Sequence, residues 1–228
     1  MRASEFNHGW TCRHLGEAGP GKPVTLPHDA MLEEQRTADA VGGLNISWFE
    51  AYDYLYEKDF TLTAKELQEH LELEFGGVYR KADVTVNGEH AMFRPYGYTN
   101  FYVDLDPYVH EGVNHIEVIA RNADQPNSRW YSGAGIFRSM ELVHTPKLHL
   151  KKDGIFVCTK DLIGLADGKA ETAILCAQID LVNEMPDNRI AQVEVVLAEE
   201  ETGREVLRRA TRVQVNPLAE ETADLTMV

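Results

Sequence analysis

Residues 71–90 read LELEFGGVYRKADVTVNGEH, and the fold turns on them. Leu71, Leu73 and Phe75 alternate with Glu72 and Glu74, the two-residue period of a strand with one face in a core and one in water. Ala82, Val84 and Val86 repeat the pattern against Asp83 and Thr85. Asn87-Gly88 follows at once, and these residue types tolerate the positive φ angles of a tight primed turn, so a hairpin is expected there.

The same period extends in both directions. YDYLYEKDFTL (52–62), NHIEVIARN (114–122) and RSMELVHTP (138–146) are short, β-rich runs between turn signals. Helical composition is confined to Thr63–His70, too short for more than a connector, and to a turn with a short helical piece expected at Asp104–Val109, where Asp106-Pro107 interrupts the pattern. Many short antiparallel strands with almost no helix predict an all-β chain built as a sandwich or jelly roll. After Pro146 the turn chemistry changes: KLHLKKDGIFVCTK, ETAILCAQIDLVNE, AQVEVVLAEE and TRVQVNPL are four further strand candidates, separated by DGKA, EMPDNR and ETGRE. These suit the opening half of an immunoglobulin-like sandwich. Two domains are therefore expected, 1–146 and 147–228, with a linker near 144–150. Without an obvious closing strand before Val228, the second sandwich is read as incomplete and the chain as a fragment.

Composition narrows the function classes. The 228 residues are 43% hydrophobic and carry a formal charge of −15, which repels nucleic-acid phosphates and anionic lipid, so neither is expected as a partner. The start, MRASEFNHGW, lacks the apolar run of a signal peptide, no stretch approaches the ~18 apolar residues of a membrane span, and a cytoplasmic location is the default expectation. Cys12, Cys158 and Cys176 lie far apart and read as reduced structural thiols. The histidines are scattered without ligand spacing, so no metal and no cofactor are expected.

FNHGW (6–10), LPHDA (26–30), YEKDFTL (56–62), LEFGGVYRKADVTVNGEHA (73–91), GYTNFYVDLDPYVHEGVNHIEVIARN (97–122) and above all SGAGIFRSMEL (132–142) occur in one order along the first two thirds of the chain. Together they resemble the N-terminal part of glycoside hydrolase family 2, the family of β-galactosidases, β-glucuronidases and β-mannosidases. The resemblance implies a sugar-binding jelly roll of the galactose-binding-domain-like kind, then an immunoglobulin-like domain, then a catalytic (β/α)8 barrel that this chain lacks. It also implies that both catalytic glutamates lie on that barrel, that the barrel is the chain's partner in one polypeptide, and that the whole enzyme is a homo-oligomer. A retaining glycosidase needs an acid and a nucleophilic carboxylate about 5–5.5 Å apart. No such pair is evident here, so no catalytic residue is assigned. Asn183-Glu184 imitates the family's acid/base dipeptide but is expected in a solvated turn of the second sandwich.

The stretch NSRWYSGAGIFR (127–138) carries the candidate site. Gly133 and Gly135 suit tight turns, Ile136 and Phe137 an inward-facing strand start, and Arg138 a tie to a neighbouring carboxylate. The resemblance places the preceding loop at the mouth of the barrel's active site. Amides, guanidinium and aromatic faces are what a sugar pocket uses, so Asn122, Asp124, Asn127, Ser128, Arg129, Trp130 and Tyr131 are the expected substrate-binding residues. Family members that use this loop often place an aspartate at the position of Arg129. A guanidinium accepts no hydrogen bond, so Asp124 or Asn127 takes the acceptor role or the pocket differs, and an arginine also suits the carboxylate of a glucuronide.

Other residues are expected to be structural. His28-Asp29 reads as a loop anchor and the tyrosines of YDYLY as a core or cross-strand ladder, while 37–49 reads as a long loop toward the barrel. Two function classes follow: part of a glycosidase acting on terminal β-galactosides, with β-glucuronidase or β-mannosidase as the alternative, or an autonomous carbohydrate-binding module. A purely structural interaction domain is a weaker third.

Overall fold

The structure is a computed structural model that describes residues 1–228. It is all-β apart from three short 3-10 turns, and it divides into two compact units, Met1–Thr145 and Pro146–Val228.

The first unit has ten strands: β1 (Arg2–Glu5), β2 (Trp10–His14), β3 (Lys22–Val24), β4 (Asp53–Leu62), β5 (His70–Phe75), β6 (Ala82–Val86), β7 (Glu89–Arg94), β8 (Phe101–Asp104), β9 (Gly112–Arg121) and β10 (Met140–Thr145). They form a six-stranded sheet, β3-β2-β4-β9-β6-β7, and a four-stranded sheet, β1-β10-β5-β8, with antiparallel pairing throughout. The period-two residues supply the core: Leu71, Leu73 and Phe75 from β5, Ala82, Val84 and Val86 from β6, and Ile116, Val118 and Ala120 from β9 are all buried in one cluster with Trp10, Tyr54 and Tyr56. A sheet buried on one face only is what fixes this register, because a slip by one residue would turn each set to solvent. Asn87 and Gly88 take φ of 50° and 83°, as a primed hairpin turn requires, and the Asn87 side chain bonds Asn114 and the Tyr108 carbonyl. The Thr63–His70 connector holds one 3-10 turn, Glu66–Gln68, where Thr63 and Glu66 cap each other's backbone amides. At Asp104–Val109 the helical piece is a single turn, with the Val109 amide donating to Leu105.

The second unit pairs β11 (Leu148–Ile163), β12 (Thr172–Asn183) and β15 (Ala219–Met227) in one sheet and β13 (Arg189–Ala198) with β14 (Glu205–Val215) in another. Its small core joins Ala177, Ile179 and Leu181 to Val193, Val215, Ala223, Leu225 and Met227. Strand β15 corrects the expectation that no strand closes the chain. Its inward positions begin with the small Ala219, the charged Glu221 and the small Ala223 before Leu225 and Met227, so the alternation hardly shows in the sequence. Asn183 is also not solvated: it is fully buried, donating to the Asp187, Val215 and Asn216 carbonyls and accepting from the Met185 amide, while Glu184 pairs with Lys147 at 2.9 Å. The dipeptide clamps a turn. Cys158 and Cys176, distant in sequence, stand directly opposite each other across β11 and β12.

Candidate functional site

The loop from β9 to β10 carries all seven expected site residues, and burial sorts them. Asn122 is 1% exposed; its amide donates to the Gly133 carbonyl and its oxygen accepts from Asn127 and Gln125, so it shapes the loop from inside. Asn127 is equally committed: Nδ2 donates to Asn122 Oδ1 and the Asp124 carbonyl, and Oδ1 accepts from the Tyr79 hydroxyl at 3.2 Å. Tyr131 turns inward, against Phe49, and donates to Asp29 Oδ2 at 2.7 Å. Burial and that carboxylate hold its hydroxyl above the usual phenol range. Asp124 points to water and pairs with Lys81 at 3.1 Å.

Asp29 explains why the rest of the loop has its course. Oδ1 accepts from the Met31 and Ala134 amides and Oδ2 from Tyr131, so one carboxylate ties 26–33 to 131–134. Gly133 has a φ of 72°, and a Cβ there would come within 2.4 Å of that carboxylate. Gly135, at 112°, would set a Cβ 2.0 Å from the Tyr56 hydroxyl. That hydroxyl also meets His28 Nδ1 at 2.8 Å, so His28-Asp29 is an anchor on both residues. Gly135 and Tyr79 exchange two backbone hydrogen bonds, which seats the loop beside 79–80. Arg138 departs from expectation: it donates to the Gly76 and Tyr98 carbonyls and lies against the Phe137 ring, with no carboxylate partner. Two backbone carbonyls converge there, and a guanidinium, which only donates, satisfies both.

Ser128, Arg129 and Trp130 remain outward and, with Asn127, form one wall of a cleft of about 550 Å3. Tyr79, Arg80 and the segment Pro95, Tyr96, Gly97 and Tyr98 complete its lining. That is the volume range of small-ligand sites. Trp130 is 63% exposed and Tyr96 57%, so both keep a ring face available. Ser128 Oγ donates to the Trp130 carbonyl at 2.6 Å, which closes the loop tip. Tyr96 packs on Tyr98 and Tyr98 on Tyr79, at centroid distances of 5.9 and 5.3 Å. Gly97 permits this, since a Cβ there would lie 2.6 Å from the Tyr79 ring. The PYGY wall and Arg80 escaped the sequence reading; the signal was two aromatics set among Pro and Gly, outside any alternating run.

The tyrosines of 52–56 are core rather than platform: Tyr54 and Tyr56 are buried, and Tyr52 stacks on His14 at 4.0 Å. In 37–49 the chain folds back on itself, the Thr37 amide donating to Trp48, with Ile46 and Phe49 buried and Val41 and Leu44 exposed. Within the first unit, two groups of carboxylate and imidazole ligand atoms lie within 4.8 Å of one another, Glu57–His115–Glu117 and His70–Asp104–Asp106. Each is already engaged, the first by Arg13 and Asp59, the second through the Leu71 amide that Asp106 accepts. No helix is long and apolar enough to cross a membrane.

A family profile described as glycosyl hydrolase 2 galactose-binding domain-like matches residues 10–152. Beta-galactosidase BoGH2A from Bacteroides ovatus is 34% identical over 221 residues, 89% of this chain and 24% of that protein. A solved structure of a glycosyl hydrolase family 2 member from Bacteroides cellulosilyticus superposes with a TM-score of 0.80 at 26% identity, covering 99% of this chain and 30% of that one. A β-glucuronidase from Bacteroides uniformis shares the fold, with a TM-score of 0.80 at 17% identity over 99% of this chain and 27% of its own. The chain thus spans about a quarter of the curated relative it matches.

Proposed function

Because the chain belongs to the glycosyl hydrolase 2 galactose-binding domain-like family, we propose that it is the non-catalytic N-terminal part of a retaining glycosidase, with a terminal β-galactoside as substrate. The matched β-galactosidase supports a galactoside, with a β-glucuronide or β-mannoside as the alternative within the same family. The first unit is the sugar-facing jelly roll and the second an immunoglobulin-like spacer. The carboxylate pair that cleaves the bond belongs to a barrel of the same polypeptide. This chain supplies the side of the substrate site.

The observation that carries the reading is the division of labour along one loop. Asn122, Asn127 and Tyr131 spend their polar groups inside the fold, which leaves Arg129 and Trp130 as outward groups on a rigid mount. A preorganised donor and a flat apolar face beside a sugar act without an ordering cost at the moment of reaction. An autonomous sugar module would use the same side chains but would bind without a barrel. The test is direct: the chain alone should neither hydrolyse 4-nitrophenyl β-galactoside, β-glucuronide or β-mannoside nor bind methyl β-galactoside with measurable heat. Sustained turnover lost on substituting one Asp or Glu of residues 1–228 contradicts the proposal, and tight binding of the neutral galactoside favours the module.

A further inference from the structure

Strand β11 is weakly secured. It lies at the edge of its sheet with β12 as its one partner strand, and none of its residues is buried. Ile155, Phe156 and Val157 are each more than half exposed. Register shifts between Leu150 and Ile155 and between Thr159 and Asp161 bound the stretch that carries them, so the ladder there is a short block. From Thr159 round the hairpin to Cys176 no residue is buried either, and on β12 the core begins at Ala177. Where neither face of a strand is dry, register is weakly specified. An exposed apolar edge is also open to pairing with a second chain.

Cys158 and Cys176 stand opposite each other at the point where the hairpin runs out past the core. Opposed residues of an antiparallel pair direct their side chains to one face, with Cα atoms about 4.5 or 5.5 Å apart. A disulfide bridges Cα separations of roughly 4.4–6.8 Å, so the register puts these two cysteines within its span. The face is the outer one: Ala177 and Ile179 are buried on the other side of β12, and Cys176 Sγ lies 3.8 Å from Thr226 Oγ1 on the adjoining strand β15. Both cysteines are partly exposed, within reach of a soluble reagent, whereas Cys12 is buried in the core of the first unit.

We propose that Cys158 and Cys176 form a reversible dithiol site, which a low-molecular-weight disulfide such as oxidised glutathione converts to a cross-strand disulfide that clamps β11 to β12. One protein thiolate attacks the glutathione disulfide and releases one glutathione; the other attacks the resulting mixed disulfide at the protein sulfur and releases the second. The cysteine pair is oxidised, the glutathione disulfide is reduced to two thiols, and the two protein protons end on those thiols. The bond closes the loop 158–176, which removes freedom from the frayed and unfolded chain, and it fixes a register that burial does not. Nothing in this depends on which sugar the first unit faces.

The whole chain is incubated at pH 8 with oxidised glutathione, and its mass, free thiols and amide hydrogen exchange are compared with those of the reduced chain. The native protein should lose two thiols and two hydrogens, retain no glutathione and form no covalent dimer, and dithiothreitol should restore both thiols. Amide exchange across 155–163 should slow by about ten-fold or more in the oxidised form. Cys158→Ser and Cys176→Ser should each retain one glutathione instead, with β11 exchanging as fast as in the reduced chain. Two retained glutathiones, a disulfide-linked dimer, or thiols that stay reduced would show that the pair does not close. An intramolecular disulfide that leaves exchange across β11 unchanged would show that it clamps nothing. Either result overturns the proposal.

Discussion

Gly135 and Arg129 sit six residues apart in one loop and should respond to substitution in opposite ways. Gly135→Val places a β-branched side chain at a φ of 112° and into the Tyr56 hydroxyl, so the first unit should lose several kcal/mol, or fail to fold, on the scale of about 3 kcal/mol or more for strain plus overpacking. Thermal melts check this, and a melting temperature within a degree of the parent would contradict it. Asp29→Ala removes the acceptor of two amides and a tyrosine at once and should cost about 2–4 kcal/mol in the same assay. The glycines were legible from sequence because only a backbone demand explains them. The inward turn of Tyr131 was not, since it depends on Asp29, 102 residues away. Lys58 offers a pH prediction at this scale. Burial pushes its ammonium down to about 8 from 10.5, while its contacts with the Phe6 ring and carbonyl favour the charge. Below the folded value both states are protonated and the burial cost is present in full; above it only the unfolded chain holds the proton, so the cost is released as pH rises toward the unfolded value. The buried Cys12 thiol, raised from 9.0 to about 12, runs the other way: its stabilising share is complete below pH 9 and lost as pH rises through 12. The melting temperature should therefore climb between pH 8 and 9, and Lys58→Met should flatten that climb; an unaltered slope in the variant would refute the assignment.

Among elements, the strands with one wet and one dry face were readable, and those without were not. Strands β5, β6 and β9 alternate cleanly because each lies inside its sheet with one face in the core. Strand β1 has no buried residue and is defined only by its ladder to β10, which no local pattern announces. Strand β15 hides behind inward Ala and Glu. The cleft shows the same limit: its loop wall lies within one quoted stretch, but the Tyr79–Gly135 backbone exchange that brings PYGY alongside is long-range. Cysteine chemistry tests the strand assignments. Cys12 is buried with its thiol held protonated, whereas Cys158 and Cys176 are partly exposed on facing strands. In the native protein at pH 8 two thiols should react with a disulfide reagent and the third only after denaturation; rapid labelling of all three would place Cys12 outside the core.

At the scale of the whole molecule, the two cores contain no common residue and the chain passes between them at Thr145–Pro146. On the function proposed here, the first of these units lends one wall to a glycosidase site whose chemistry lies elsewhere in the polypeptide. The measurement that reaches it most directly is the turnover of 4-nitrophenyl β-galactoside by the complete product of the gene, with Arg129→Ala and Trp130→Ala, each alongside a melting curve. Loss of one or two substrate contacts made by a rigid loop costs about 1–3 kcal/mol of transition-state binding, so kcat/KM should fall by roughly ten- to a hundred-fold with the melting temperature of the first unit essentially unchanged. Variants that keep full kcat/KM, or that lose activity only in proportion to the protein unfolded, would show the loop to be scaffold and the claim to be wrong.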